Sequence, residues 1–369
     1  MLKNQYTLDN TADLISPALI YYKDIILDNT KKAISMAGDP QRLWPHVKSH
    51  KCAKMVRMQI ELGITRFKCA TIAEAEMTAA AGGAHIILAY PLVGPNIARF
   101  LKLAKYYPQT IFYAIGDNYE TLSELAAAAA GMKMSMNVLI DVDLGMHRTG
   151  VSFDSLLLLY ECLSGLDGIS IQGLHCYDGH CHEKDFNSRK QIVDENDSKV
   201  ARIRELLRQK NLPCKILVMG GTPTFPCRTG KPDFYLSPGT LFINDWGYYS
   251  GFPDLDFIPG AAVFTRVVSH QGGNTFTLDL GHKGIGADPQ GARGIIAGFE
   301  EAKPLFQSEE HWVFSLPAGS SLPPIGSGQY VIPTHICPTS ALYPEIQIAQ
   351  AGKITEQWKV TARNRKINF

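Results

Sequence analysis

The sequence has no excess of charge of either sign, since 36 Lys and Arg residues stand against 35 Asp and Glu residues. Nucleic acids and anionic membranes are bound through a surplus of positive charge, so neither partner is expected. The chain also has no run of about 18 apolar residues, which a membrane span needs. Its first segment, MLKNQYTLDNTADLISP, lacks the apolar stretch of a signal peptide. We therefore expect a soluble, cytoplasmic protein that acts on a small molecule.

Cysteine is too thinly spread to form a disulfide framework, because the eight cysteines are scattered over 369 residues. Most of them are expected to be reduced thiols in the core. Internal repeats, low-complexity segments and blocks of like charge are absent as well. A chain of this length with 45% hydrophobic residues can bury more core than one ordinary domain needs. Two domains are therefore expected.

From about residue 25 to 250, short apolar runs alternate with longer stretches of helical period, which is typical of βα units around a parallel sheet. The predicted strands are Pro45–Lys48, Thr65–Cys69, Ile86–Tyr90, Ile111–Ile115, Met136–Asp141, Ile169–His175, Lys215–Met219 and Phe234–Leu236. Eight such strands predict an α/β fold with a (β/α)8 TIM-like barrel. From about residue 251 onward, short β-type runs separated by Gly and Pro predict a second, β-rich domain.

The predicted barrel helices have recognisable ends. Thr71 is followed three residues later by Glu74, which is a capping-box pattern, and Asn118 precedes another helical stretch. The longest helical stretch runs from about Asp185 to Lys210 and ends shortly before a proline, which cannot continue a helix. These helices are expected to cover the outside of the barrel.

Lys48 lies at the end of the first predicted strand, in the segment PHVKSHK. Active sites of βα barrels are built where the strands end, and alternation along a strand places His46 and Lys48 on one face. A single lysine in the mouth of a barrel suits a Schiff base. Judged from this position alone, a lysine that only reaches solvent is the better interpretation, since most lysines at strand ends do so.

Two glycine-containing turns, Gly220–Pro223 and Ser237–Thr240, follow the seventh and eighth predicted strands. Barrels often bind a phosphate there through glycine N–H groups and hydroxyls. Each segment could equally be a simple turn. After the fifth strand, Arg148 is followed closely by Gly150 and offers a fixed cation to a ligand, although a surface loop with one salt bridge is the alternative.

Two further segments carry acid–base or metal-binding side chains. The sixth strand leads into HCYDGHCH, where Tyr177 and His180 are interpreted as pocket residues and others as spectators. His335 and Cys337 have i, i+2 spacing, which on an extended strand puts the imidazole and the thiol on one face. Both are good zinc ligands, and two ligands alone leave the open positions that a catalytic metal needs. By itself this pair could be incidental.

Taken together, these segments resemble the D-threonine aldolase and D-serine dehydratase family, whose members are fold-type III pyridoxal-phosphate (PLP) enzymes related to the alanine racemase barrel. The segment His46–Lys51 is similar to the family's H-V-K-T-H-K, whose first lysine holds PLP and corresponds to Lys48. The segment from His335 to Thr339 is similar to the family's metal motif. One departure is Trp44, where an arginine is expected; it could change the rim of the pocket or a carboxylate contact.

The resemblance implies roles for named residues. The implied catalytic residues are Lys48 and His180. The implied cofactor-binding residues are Lys48, Arg148, Tyr177, Gly220, Gly221, Thr222, Gly239 and Thr240. The implied ligands of a divalent metal are His335 and Cys337, and the thiol favours zinc, with manganese and magnesium as alternatives. By the same resemblance, residues 1–24 are expected to join residues 251–369 in the β-rich domain, residues 25–250 form the PLP barrel, and the active unit is a homodimer.

The implied activity is a metal-assisted PLP lyase acting on D-3-hydroxy amino acids. PLP serves as an electron sink at Cα, and a metal can bind the substrate's β-hydroxyl. Retro-aldol cleavage to glycine and an aldehyde and dehydration to a 2-oxo acid and ammonia both remain open. The alternatives are an amino-acid racemase, which needs an opposing base and no metal, and a non-enzymatic PLP-binding protein, against which the second domain argues.

Overall fold

The computed structural model describes residues 3–369 and divides the chain into two compact units. One unit, called the barrel unit below, comprises Ala33–Lys48, Ala53–Gly239 and Asn364–Phe369. The other, called the β-rich unit, comprises the chain up to Lys32 together with Ser49–Cys52 and Thr240–Arg363. In the described part of the chain, no helix is both long and apolar enough to span a membrane.

Helices and strands alternate through the barrel unit, whereas strands predominate in the second half of the β-rich unit. The helices are α1 (Lys3–Tyr6), α2 (Lys23–Ala37), α3 (Ala53–Glu61), α4 (Ile72–Ala80), α5 (Pro95–Tyr106), α6 (Tyr119–Gly131), α7 (Phe153–Ser164), α8 (Phe186–Gln209), α9 (Phe225–Arg228), α10 (Trp246–Gly251) and α11 (Ile336–Leu342). The strands are β1 (Ala18–Tyr22), β2 (Arg66–Cys69), β3 (His85–Leu88), β4 (Ile111–Gly116), β5 (Met136–Asp141), β6 (Ile169–Cys176), β7 (Ile216–Met219), β8 (Tyr235–Leu236), β9 (Ala261–His270), β10 (Thr275–Leu278), β11 (Gly294–Ile296), β12 (Lys303–Gln307), β13 (Trp312–Ser315), β14 (Gly328–Pro333), β15 (Glu345–Gln350) and β16 (Lys353–Lys359).

The barrel unit is built on a parallel sheet in which β2 to β8 follow each other in sequence order. The segment 43–46 closes this sheet, because Leu43 bridges to Leu236 of β8 and His46 bridges to Lys68 of β2. The predicted barrel with a β-rich C-terminal region is thereby confirmed. Seven of the eight predicted strands agree with the observed bounds within two residues.

The first predicted strand, Pro45–Lys48, is wrong as a regular strand. The chain makes only isolated bridges there and then turns in a 3₁₀ helix over Val47–Ser49. Pro45 has no N–H to donate to a neighbouring strand, so it cannot support a continuous ladder. Its carbonyl still accepts from Lys68 N at 2.8 Å. Lys48 therefore lies in a tight turn just beyond the strand position.

The helix starts follow the predicted signals. Thr71 Oγ1 accepts from the backbone N of Glu74 at 3.1 Å, and Glu74 in turn accepts from Ala70 N at 2.6 Å. Asn118 caps α6 through a bond from Thr121 N at 2.9 Å. Each cap satisfies an N–H that the first helical turn leaves without an internal partner.

Trp44 lies in the barrel core and not at the rim of a pocket, which corrects the expectation for this residue. It is fully buried, and its indole N–H donates to Phe67 O at 2.6 Å. Its ring packs edge-on against Tyr113 and Tyr235, with centroids 5.5 and 5.4 Å away. An arginine could not share these contacts without a buried partner for its charge.

The β-rich unit contains a sheet in the order β12-β13-β10-β9-β1-β15-β16, with β14 pairing with both β9 and β11. Strand β1 runs antiparallel to β9 and parallel to β15. All five residues of β1 are buried, so this N-terminal strand is central to the unit. Its core includes Tyr6, Phe264 and Tyr330.

Gly173→Ala is expected to lower the free energy of unfolding by more than about 3 kcal/mol. Gly173 of β6 pairs with Ile216 of β7, and a Cβ atom there would lie 1.8 Å from the Ile216 carbonyl oxygen. The strands would have to separate to accept it. Urea denaturation followed by circular dichroism measures the change. The matched control is Gly131→Ala at the end of α6, where a Cβ meets nothing within 4 Å, and its effect should be within about 1 kcal/mol.

Candidate active site

A cavity of about 520 Å³ opens among the carboxyl ends of the strands of the barrel unit. Lys48, Lys68, Arg148, His175 and Tyr177 contribute polar side chains to its wall. Among the described residues, no Asp or Glu lines this cavity. The wall therefore combines three basic side chains with an aromatic face and two imidazoles, those of His46 and His175, and this composition suits an anionic, planar ligand.

Tyr177 is the centre of the cationic wall. Lys48 Nζ lies 5.8 Å, Lys68 Nζ 5.4 Å and Arg148 Cζ 5.2 Å from the centroid of its ring. The structure thus brings together Lys48, Arg148 and Tyr177, which the sequence placed at or after the ends of three different strands. Lys68 was not predicted; it lies within β2, between Phe67 and Cys69.

His175 and Asp141 form a buried pair next to the cavity. The imidazole Nδ1 lies 2.6 Å from Asp141 Oδ1, and both side chains are almost inaccessible. Burial lowers the pKa of His175 below its ordinary value, and Asp141 offsets this only in part. The neutral ring then donates from Nδ1, so Nε2 is an acceptor. Nε2 is buried and has no hydrogen-bond partner among the described residues.

The predicted phosphate turn lies beside Tyr177. Gly220 has a φ of +76°, and a Cβ there would lie 2.6 Å from both Arg228 Nη1 and Thr224 Oγ1, so only glycine fits. A Cβ on Gly221 would come within 3.0 Å of the Tyr177 ring. The four predicted cradle residues of the barrel unit are therefore held close to one another: Gly220, Gly221 and Thr222 are consecutive, and Gly239 N donates to Thr222 Oγ1 at 3.2 Å.

A buried network of charged and polar side chains holds this turn in place. Thr224 Oγ1 accepts from Gly221 N at 3.2 Å and donates to Asp178 Oδ1 at 2.8 Å. Arg228 Nη1 donates to Asp178 Oδ2 at 2.6 Å, and its Nε donates to Asp197 at 2.9 Å. Burial would lower the pKa of Arg228, but the two carboxylates outweigh it and raise the pKa. The guanidinium therefore stays charged and fixes the start of the turn.

His180, predicted as catalytic, follows Tyr177 by three residues but does not line the Lys48 cavity. Its Nε2 lies 3.6 Å from Cys181 Sγ and would touch a Cβ at Gly145. Its Nδ1 is buried without a hydrogen-bond partner in the described chain. The role of His180 stays a prediction.

The predicted metal pair lies in the β-rich unit, but not on a strand as expected. His335 is the extended N-cap residue of α11 (φ −135°), and Cys337 lies in the first helical turn. Pro338 explains the geometry, because proline is favoured in the first turn of a helix. The imidazole and the thiol nevertheless interact, since the bend at the helix start brings them together.

The surroundings of the pair favour a charged thiolate. Burial alone would raise the pKa of Cys337, but the bond and charge of His335 outweigh it and lower the pKa. Burial lowers the pKa of His335, yet Cys337 and Asp288 raise it to about 9. Thr240 was assigned to the phosphate cradle from the sequence, but it belongs to the β-rich unit. Its hydroxyl lies 3.3 Å from Cys337 Sγ.

The donor set fits a soft divalent metal with open coordination positions. An imidazole and a thiolate are preferred zinc donors. His335 Nδ1 is bound to Asp288 Oδ2 at 2.5 Å, as the outer nitrogen of a metal-ligating histidine commonly is, which leaves Nε2 for a metal. Across residues 3–369, no group of three or more His, Cys, Asp or Glu side chains is arranged to hold a metal ion. The pair can therefore supply two ligands.

Comparison with known proteins covers both halves of the chain. The pattern of the family described as "Alanine racemase, N-terminal domain" matches residues 23–241, and that of the family described as "Putative serine dehydratase domain" matches residues 260–349. The D-threonine aldolase of Arthrobacter sp is 28% identical over 329 residues, which span 87% of this chain and 85% of that protein. The D-threo-3-hydroxyaspartate dehydratase of Delftia sp. (strain HT23) is 24% identical over 95% of this chain and 98% of its own.

A solved structure extends the likeness to the fold. The D-threonine aldolase from Filomicrobium marinum superimposes with a TM-score of 0.89 at 26% sequence identity. The superposition covers 96% of this chain and 97% of that chain. The similarity therefore spans both units, and the two ranges matched by family patterns contain Lys48 and the His335–Cys337 pair.

Proposed function

Since the chain belongs to the alanine racemase N-terminal domain family, we propose that it is a PLP-dependent lyase that acts on D-3-hydroxy amino acids. The observation that carries this proposal is the cavity that brings Lys48, Arg148 and Tyr177 together beside a glycine turn. A lysine amine, a cation, an aromatic face and a glycine turn are groups that can bind the aldehyde, the ring and the phosphate of PLP. The similar proteins named above, two aldolases and a dehydratase, are lyases and support the same reaction class.

The barrel residues fit PLP in distinct ways. Lys48 would carry the aldehyde group of the cofactor, and the face of Tyr177 would pack against its ring. The N–H group and hydroxyl of Thr222 would hold its phosphate, because the N–H groups of Gly220 and Gly221 already donate to Cys176 O and Thr224 Oγ1. The two glycines would let the phosphate approach the backbone. Bound PLP supplies an electron sink for charge that develops at Cα of an amino acid. Arg148 would stabilise the anionic oxygen on the ring, because it is the exposed cation at the cavity mouth.

His335 and Cys337 are proposed to bind a divalent metal, and zinc is proposed because thiolate is a soft ligand. Such a metal supplies a Lewis acid for a hydroxyl group. Cys337 would enter as the thiolate that His335 and the neighbouring hydroxyls of Ser49 (3.2 Å) and Thr240 favour. Asp288 would keep the His335 ring in the orientation that exposes Nε2.

Aldol cleavage is proposed as the main reaction, because the two similar proteins named above with more than 25% identity over most of the chain are D-threonine aldolases. Dehydration is the second candidate. It is favoured by the match of residues 260–349 to the serine dehydratase domain and by the Delftia dehydratase, which aligns over 98% of its length. A homodimeric state and a cytoplasmic location also stay predictions, and they rest on the family resemblance and on the sequence composition.

The two reactions are separated by their products. Purified protein is supplied with PLP and incubated with D-threonine or D-serine, with and without a metal chelator. Glycine and acetaldehyde from D-threonine, lost on chelation, are the expected products. Chelator-sensitive 2-oxobutanoate, pyruvate and ammonia would assign a dehydratase instead. Interconversion of D- and L-amino acids without cleavage would contradict the lyase proposal.

Thr224→Val is expected to weaken PLP binding about tenfold and to leave pyridoxal binding unchanged. The variant keeps the shape of the side chain but removes the hydroxyl that accepts from Gly221 N and donates to Asp178. Each of these buried groups then loses a hydrogen-bond partner, which costs about 1–3 kcal/mol. Pyridoxal lacks the phosphate, so it does not use the turn. Fluorescence titration with each ligand measures the ratio. Thr229→Val, which removes only a hydrogen bond to Pro226 O, is the matched control. Equal losses of affinity for PLP and pyridoxal in Thr224→Val would contradict a role of the turn in phosphate binding.

A further inference from the structure

Lys68 is a buried cation that the proposed chemistry leaves without a role. It is only 2% exposed and lies near the end of β2, and its ammonium group faces the Lys48 cavity. Among the described residues, Nζ of Lys68 has no hydrogen-bond or ion-pair partner; it contacts the face of Tyr177. A buried charge without a partner is costly, so natural proteins pair such groups or use them to bind a ligand.

The charges of Asp141 and Asp178 favour the charged form of Lys68, but neither carboxylate pairs with it, because each is bound to another side chain. Asp141 is bound to His175 Nδ1 at 2.6 Å, and Asp178 is bound to Arg228 at 2.6 Å. Burial, followed by the charge of Lys48, lowers the pKa of Lys68 to about 7 despite these two acids. The charged form of Lys68 is therefore disfavoured in the empty cavity wall, and an anion placed beside it would restore that form.

The identity of the anion follows from the other cations. The proposed function, on which this step rests, assigns Lys48 to the aldehyde of PLP and Arg148 to its ring oxygen, while the turn takes the phosphate. Lys68 is then the remaining cation of the wall, and an amino acid bound in the same cavity brings one carboxylate of its own. We propose that Lys68 binds the α-carboxylate of the amino-acid substrate and thereby orients it in the cavity.

The proposal is tested by binding of two ligands that differ only in the carboxylate. D-Alanine and ethylamine both carry an amine and lack a β-hydroxyl, so neither undergoes the lyase reaction. Each is titrated into the PLP-loaded protein, and the change in cofactor absorption gives its Kd. Lys68→Met is expected to weaken D-alanine about 10- to 100-fold, the worth of a charge-assisted hydrogen bond. The Kd of ethylamine should stay within about twofold, since this ligand has no carboxylate to lose.

Two further variants make the result specific. Lys68→Arg keeps the charge and is expected to recover most of the affinity for D-alanine. Lys102→Met removes a positive charge from the exposed surface of α5 and should change neither Kd. PLP affinity is measured for every variant by equilibrium dialysis, so that an effect on the cofactor is seen separately.

Each outcome has a definite meaning. Equal weakening of both ligands in Lys68→Met, or no weakening of either, overturns the carboxylate role. If Lys68→Met loses PLP affinity while the ratio of the Kd values of the two amine ligands stays unchanged, the carboxylate role is also overturned. Lys68 would then bind the cofactor and not the substrate. Failure of the unmodified protein to bind PLP would reject the proposed function and this inference together, whereas PLP binding without carboxylate discrimination rejects the inference alone.

Discussion

Lys48→Ala is expected to lower kcat by at least about a thousandfold and to abolish the visible absorption of covalently held PLP. The amine of Lys48 is the attachment point for the cofactor, and alanine offers none. The variant should still fold, because Lys48 is only half-buried and lies in a turn. Absorption spectra of the dialysed protein and steady-state kinetics with D-threonine measure the two effects.

Lys51→Ala is the matched control, since Lys51 lies three residues further along the same segment. It should retain the PLP spectrum of the unmodified protein. Retention of that spectrum in Lys48→Ala would show that another amine carries the cofactor. Lys68 would then be the first residue to test, because it faces the same cavity.

Cys337→Ser is expected to remove the bound metal and to lower lyase activity about 100-fold or more, while PLP content stays unchanged. A serine hydroxyl is a poor ligand for a soft metal, although it fills the same space. His335→Ala should have the same effect, because either ligand alone is too weak. Metal content is measured by elemental mass spectrometry, and activity is measured before and after chelation and re-addition of zinc.

Cys162→Ser controls for loss of a thiol as such, since Cys162 is exposed on α7. It should keep both metal and activity. Full lyase activity of Cys337→Ser after exhaustive chelation would contradict a metal-assisted reaction. Activity restored to unmodified levels by magnesium alone would contradict the assignment of a soft metal.

The barrel could be predicted from the sequence because its local signals agree with one another. The alternation of buried runs and helical stretches, the caps at Thr71 and Asn118, and the proline after α8 all point to βα units. The prediction of the first strand failed because Pro45 interrupts the ladder of hydrogen bonds. The β propensity of the segment cannot distinguish a regular strand from isolated bridges. The helix that begins after His335 was missed because the i, i+2 spacing of His335 and Cys337 was interpreted as an extended strand, whereas the start of a helix also brings the two side chains together.

The site was predicted best where a residue ends or follows a strand. Lys48 ends a predicted strand, Arg148 and Tyr177 follow two others, and the structure places all three around one cavity. Lys68 was missed inside a strand that was interpreted only as barrel wall, and His175 was not singled out from the segment HCYDGHCH. A signal existed, because strands of a parallel barrel are buried on both faces and a charged residue in such a strand needs a reason. The partners of Arg228 lie 31 and 50 residues away, so no local pattern could pair them.

Reductive trapping of PLP identifies the lysine that carries the cofactor. The purified protein is loaded with PLP, treated with sodium borohydride, digested and analysed by mass spectrometry. Reduction fixes the cofactor to the amine that carries it, so the modified peptide identifies the residue. We expect a single phosphopyridoxyl group, located on Lys48. A group on any other lysine, or no modification at all, would contradict this assignment.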